Sequence, residues 1–231
     1  IVDASYDAQT QNILVDLELS EAKNGLIARA LNIEGRPDLQ LTVTGEGSID
    51  DLVTFIALET DGAARMKGQV TLKGKTNADR DFSVDLAGNM SALIPKEYHR
   101  FFGSKTAIKA NGRRSPAGAF ELSDLNLKTG ALNLQGALAL NALSWPTRIA
   151  LNGEIGIPGN SPIVLPFADG STSLNGATLQ IAYDAKASEK LTAQINFTNL
   201  ASPTATAQTI QLNVIGAFAD NLETAKTVQA N

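Results

Sequence analysis

The chain has 231 residues, a net charge of −5 and no cysteine. The acidic balance opposes binding to nucleic-acid phosphates, which requires clustered Lys and Arg, and opposes basic-patch adsorption to anionic membranes. The missing cysteine excludes disulfides, thiolate metal sites and a cysteine nucleophile. Hydrophobic residues make up 43% and aromatics only 5%, so burial must come from Leu, Ile, Val and Ala. No run approaches the roughly 18 apolar residues of a membrane span. The first residue is Ile1 rather than Met, and we read the chain as an excerpt of a longer or processed protein.

In chain order, the dominant pattern is alternation with a period of two, the mark of a strand with one apolar face. Ile13, Val15, Leu17 and Leu19 share one parity. A helical spacing follows over Asn24–Ile33, through Leu26, Ile27, Ala30 and Leu31, and ends at Gly35 and Pro37. Leu39, Leu41 and Val43 alternate with Gln40, Thr42 and Thr44. Leu52–Leu58 is apolar on both parities, which predicts burial on both faces. Thr60-Asp61-Gly62 predicts a tight hairpin, and 47–51, Asp124 and 187–190 predict reversals. Met66, Gly68, Val70 and Leu72 form the next run, then Phe82, Val84 and Leu86. Pro95–Phe102 reads as a second helix with Gly103 just beyond it, and Ile94, Tyr98, Phe101 and Phe102 make the densest aromatic cluster.

The longest alternating run is Ala131–Ala142. Leu132, Leu134, Leu138 and Leu140 lie on one parity, and Asn133, Gln135 and Asn141 on the other, an uncharged set that suits a convex outer face. Residues 158–170 hold Pro158, Pro162 and Pro166, a long loop and the best site for an internal break in an otherwise single unit over 1–231. Leu179 and Ile181, Ile195 and Phe197, and Ile210, Leu212 and Val214 complete the series. Strand follows strand without intervening helices, so the fold class is mainly β, an antiparallel meander with one or two short helices. The two helices either plug the apolar face or gate what enters it.

Catalytic chemistry finds little support. His99 is the only histidine, so no multi-histidine metal site can form, and no nucleophile or orienting carboxylate can be named for it. Gly74-Lys75-Thr76 lacks the glycine spacing of a phosphate-binding loop, and Gly45-Glu46-Gly47 lacks the third glycine and helix of a dinucleotide fingerprint. Asp50-Asp51 and the Asp79/Asp81 pair read as turn carboxylates rather than calcium ligands. Asn89 and Asn196 open glycosylation sequons of a kind common by chance. A sugar cleft would need paired acids with aromatic platforms, and Trp145 stands alone. We therefore expect no enzyme, no cofactor and no metal.

An ordered series of segments resembles the AsmA-like superfamily and, within it, the TamB translocation and assembly module proteins of Gram-negative bacteria. The segments are NGLIARALNIEGRP (24–37), LQLTVTGEGSIDDL (39–52), FIALETDGAARMKGQVTL (55–72), DFSVDLAGNMSALIPKEYHRFFG (81–103) and LNLQGALALNALSWPTRIALNGEI (132–155). The resemblance implies an elongated, curled sheet, a β-taco or half-open barrel with an apolar groove. It also implies a middle segment of an inner-membrane-anchored periplasmic protein that carries phospholipid between membranes. A TamA-like outer-membrane barrel protein would be a partner through other parts of the full chain. The alternatives are a scaffold for outer-membrane β-barrel assembly and a sheet closed on an ordinary core. The expected groove lining is Leu39, Leu41, Val43, Val70, Leu72, Val84, Leu86, Leu132, Leu134, Leu138, Leu140, Ile195 and Phe197, in contact with acyl chains.

Overall fold

The computed structural model describes residues 2–7, 12–166, 171–218 and 229–230. Its sixteen strands join one sheet. They are β1 (Val2–Asp7), β2 (Asn12–Glu21), β3 (Leu39–Ser48), β4 (Asp51–Thr60), β5 (Ala63–Gly74), β6 (Arg80–Gly88), β7 (Thr106–Arg114) and β8 (Phe120–Lys128). Then come β9 (Leu132–Leu140), β10 (Pro146–Gly156), β11 (Ile163–Val164), β12 (Ser173–Leu174), β13 (Gly176–Asp184), β14 (Ser188–Ala201), β15 (Thr206–Ala217) and β16 (Gln229–Ala230). Each strand from β1 to β10 pairs with the next, β10 pairs with β13, and β14 and β15 follow. Every pairing is antiparallel, so short hairpins suffice and no crossover helix is needed. At about 4.8 Å per strand this meander is roughly 60 Å across. The sheet is not closed: among the described residues β1 pairs only with β2, and β16 only with β15. The mainly β, antiparallel, half-open expectation is met.

Local chemistry explains the turns. Asp61 and Gly62 both take positive φ, 47° and 70°, as a two-residue hairpin with right-handed strand twist demands. The reversal expected over 47–51 is tighter, with only Ile49 and Asp50 between β3 and β4. Near 187–190 the turn comes earlier, because β14 already begins at Ser188. Asp124 is not a reversal. It sits inside β8 at a bulge, where Leu122 pairs with Leu138 but the next residue paired to β9 is Leu125, opposite Gly136. The bulge inserts an extra residue and so returns Leu125 to the face that Leu122 occupies.

Both helices are shorter than the spacing predicts. α1 is Leu26–Ala30, and α2 is His99–Phe102, preceded by a 3-10 turn at Lys96–Tyr98. Asn32, with φ 52°, and Gly35, with φ 73°, stop continuation beyond α1. The second stretch starts at Pro95, in extended backbone with ψ 148°, which delays the first helical turn.

The meander has two dissimilar rims. One carries the connections 22–38, 89–105 and 157–175, which hold α1, α2 and the β11–β12 pair. Among the described residues, the opposite rim carries the short turns 49–50, 75–79, 115–119, 141–145 and 185–187. All three stretches that break the alternating pattern in the sequence therefore lie on the same side of the sheet.

Candidate functional site

Register across the sheet defines the site, because residues directly opposite in neighbouring strands share a face. From β2 to β15 one row reads Leu17, Val43, Ile56, Gly68, Leu86, Ile108, Leu127, Leu134, Gly153, Leu179, Ile195 and Leu212. No polar side chain interrupts it. The row beside it runs Val15, Gly45, Thr54, Val70, Val84, Ala110, Leu125, Gly136, Leu151, Ile181, Ala193 and Val214, with Thr54 the single polar member. A third row toward the short-turn rim holds Ile13, Leu52, Leu72, Phe82, Leu122, Leu138, Ile149 and Tyr183. The alternation seen strand by strand thus adds up to one apolar surface.

All thirteen expected lining residues lie on this face. Twelve are half-buried, and Leu39 is 5% exposed. Leu39 differs because it packs with Ala28 and Ile33 beneath α1, which makes it part of a local core. Elsewhere, small neighbours and side-by-side packing shelter the face only partly. At the outer strands exposure rises to 40% for both Leu19 and Leu212.

Residues that the alternation did not single out complete the lining: Ile108, Leu125, Leu127, Ile149 and Leu151. The bulge puts Leu122 and Leu125 three apart in sequence, which hides their shared face from a period-two reading. One expectation fails. Leu52–Leu58 is not buried on both faces, since Phe55 points to the polar side and is 56% exposed, beside Thr44, Lys67 and Gln69. The strand has one covered face and carries an exposed aromatic ring on the other.

The long-connection rim is closed by side chains. Phe101 of α2, Ala131, Ile163, Leu165 and Leu174 form a buried cluster against Leu132, Ile155 and Phe197. Ile163 and Leu165 of the proline-rich loop are therefore tucked in, while positions 167–170 of that loop lie outside the described residues. Backbone bonds stitch α2 to the sheet: the Gly130 and Ala131 amides donate to the Phe102 and Phe101 carbonyls at 2.8 and 2.9 Å. The Thr129 hydroxyl donates to the Phe101 carbonyl at 2.6 Å. Under α1, Ala28, Ile33 and Leu39 form a second cluster with Ile27 and Leu93. Glu21 caps α1 by accepting from the Ile27 and Ala28 amides at 2.7 and 3.0 Å. Desolvation pushes the Glu21 carboxyl up, but the amides of Ile27, Ala28 and Leu26, with Arg29, outweigh it and hold the group below its ordinary value. A Lys96–Glu34 ion pair at 2.6 Å joins the two plugs. Of the two roles considered for the helices, closing one margin of the apolar face is the one their contacts fit.

The polar candidates are accounted for by structure. His99 Nε2 lies 3.2 Å from the Ile94 carbonyl. Asp81 takes Arg113 and Lys75, each at 2.7 Å, and these partners hold its carboxyl below the ordinary range. The Lys75 of the glycine-lysine-threonine motif is thus an ion-pair partner at the turn following β5. Asn89 accepts from the Ser91 amide and hydroxyl at 3.0 and 2.6 Å, which starts a 3-10 turn. Among the described residues, no group of acids and histidines is placed to hold a metal ion. Asn133 and Gln135 face the polar side but line a hollow of about 350 Å³ with Asn152, Gln180 and Asn196, so that face is not simply convex. Asn141 is not on the strand. Its Oδ1 closes the 141–145 turn by accepting from the Leu143 and Trp145 amides.

Comparison with protein-family models, with curated proteins and with solved structures gives no match to this chain.

Proposed function

We propose that the chain is a segment of a periplasmic, bridge-like lipid conduit, part of an inner-membrane-anchored protein of a Gram-negative bacterium. The observation that carries this reading is the uninterrupted apolar row from Leu17 to Leu212, half-buried from Leu17 to Ile195, exposed at Leu212, and not sealed by a second sheet among the described residues. An acyl chain laid along it loses contact with water at about 0.8 kcal/mol per buried methylene. No directional contact is required, so one face can accept many phospholipids. Headgroups would lie toward the short-turn rim, since the other is filled by Phe101, Ile163 and Ala28. The resemblance of 24–155 to TamB proteins supports the same reading and suggests outer-membrane biogenesis as the setting, with a TamA-like barrel protein engaged by other parts of the full chain.

The test is native mass spectrometry of the purified chain. We expect heterogeneous bound phospholipid, lost when Leu138→Arg places a charge between Leu122 and Ile149. Circular dichroism would establish that the variant keeps its strands. A clean protein mass for the wild type, or lipid retained by the folded Leu138→Arg variant, overturns the reading.

A further inference from the structure

The apolar face is uncharged along its central rows, but two arginines stand on its parity at the short-turn rim. Arg80 of β6 and Arg114 of β7 are directly opposite in register. Like charges placed opposite each other destabilise a sheet, so the pair calls for a counter-charge. Arg80 has one in part: its Nε donates to Asp50 Oδ1 at 3.2 Å. Arg114 has none, and no ion pair or hydrogen bond engages its guanidinium among the described residues. The contrast with the next residue is direct. Arg113 faces the polar side and pairs with Asp81 at 2.7 Å, with Asp79 4.0 Å away.

The surroundings of Arg80 and Arg114 are amphipathic. They line a hollow of about 660 Å³ together with Leu72, Phe82, Phe120 and Ser115. Phe82 and Phe120 stack with ring centroids 5.5 Å apart and planes inclined by 14°. The stack spans β7, and Gly112 permits it, because a Cβ there would collide with the Phe82 ring. The hollow thus has an aromatic floor continuous with the apolar rows and a doubly cationic lip.

Building on the lipid reading above, we infer that Arg114 and Arg80 form a docking site for the phosphate of a lipid headgroup, with the acyl chains leaving over Phe82 and Phe120 onto the apolar face. A guanidinium presents a planar fork of donors that matches phosphate oxygens. Arg114 has its fork free among the described residues, and Arg80 keeps the donors that Asp50 does not use. A phosphate between them neutralises the like-charge pair, and the aromatic floor accepts the first methylenes. The site is a lipid site rather than a free-anion site because the cations border apolar surface instead of a polar cradle.

The experiment loads the full chain from detergent micelles with equal amounts of phosphatidylglycerol and diacylglycerol of identical acyl chains, and reads occupancy by native mass spectrometry. The wild type should favour the phosphate-bearing lipid by about tenfold or more. Arg114→Gln should bring the ratio close to one, and Arg114→Lys should restore part of the preference. Arg114→Gln leaves the Arg80–Asp50 pair intact, which guards the fold. A wild-type chain that takes both lipids equally overturns this site but leaves the conduit reading standing. So does an unchanged preference in Arg114→Gln. A chain that binds neither lipid removes the conduit reading and this inference with it. Inorganic phosphate that displaces phosphatidylglycerol at equal concentration overturns the lipid assignment in favour of a simple anion site.

Discussion

The two rims of the sheet are built from the same alternating strands yet solve opposite problems. At the long-connection rim the apolar parity ends in Leu39, Leu132, Ile155 and Phe197, and these meet Ala28, Phe101, Ile163 and Leu174 from the connections. At the short-turn rim the same parity ends in Phe82, Phe120 and Leu140, then in Arg80 and Arg114, and turns of two to five residues bring up only a few side chains such as Ile49 and Pro116, which leave these residues half-buried or exposed. The difference teaches that strand patterning alone does not decide whether an apolar face becomes core. The length of the connection beside it does. A seventeen-residue excursion such as 22–38 can fold back over the strands, whereas the two-residue Ile49-Asp50 turn cannot.

The largest expected effect tests this distinction directly. Ile163 is fully buried, and Ile163→Ala should cost about 2–5 kcal/mol, read from the midpoint of urea unfolding. Leu134 is half-buried on the open part of the face, and Leu134→Ala should cost about half as much, since its side chain gives up fewer contacts. Equal losses would break the comparison and make the whole face an ordinary core.

Next in size is the hinge that seats α2. Gly103 has φ 64° and ψ −164°, a region essentially reserved for glycine, and a Cβ there would lie 2.7 Å from the Gly130 Cα. Gly103→Ala should therefore cost about 1–3 kcal/mol through backbone strain, with the added effect of lifting α2 from Ala131. Thermal unfolding checks the loss. If the variant is as stable as the wild type, the α2 plug is not held by this close approach.

Much of this was legible in the sequence, and what was missed has specific physical causes. Period-two alternation assigned Val43, Val70, Val84, Leu134 and Ile195 to one face without any knowledge of pairing, because each strand reports its own two faces. Register was not legible, so the rows from β2 to β15 could not be drawn beforehand. The β8 bulge broke the period at Leu122 and Leu125 and made Asp124 resemble a turn. Phe55 misled because an aromatic residue among apolar neighbours reads as core whichever face it takes. Arg113 and Arg114 are adjacent and chemically alike, and only pairing reveals that one meets Asp81 while the other looks onto apolar surface. The helical stretches were recognised as interruptions, but that all three irregular connections share a rim follows from the number of strands between them, which local patterning does not count.

The smallest expected effect sharpens the comparison within the closed rim itself, by separating its two clusters. The Phe101 cluster is apolar, but α1 leans on a charge. The amides of Ile27 and Ala28 bond to Glu21, whose folded carboxyl titrates below the ordinary value of 4.5. A carboxyl depressed in the folded state stabilises it fully above its unfolded pKa, and that contribution is lost as pH falls through the folded pKa. The amide proton shifts of Ile27 and Ala28 should therefore titrate together with a midpoint under 4.5, while those of Gly130 and Ala131, bonded to backbone carbonyls of α2, stay flat. Glu21→Gln keeps an acceptor but no charge, so it should abolish the titration and loosen α1 without moving the Phe101 cluster. A midpoint at or above 4.5, or a titration that carries Ala131 with it, would mean that the rim closes as one unit coupled through Lys96 and Glu34 rather than as two plugs side by side.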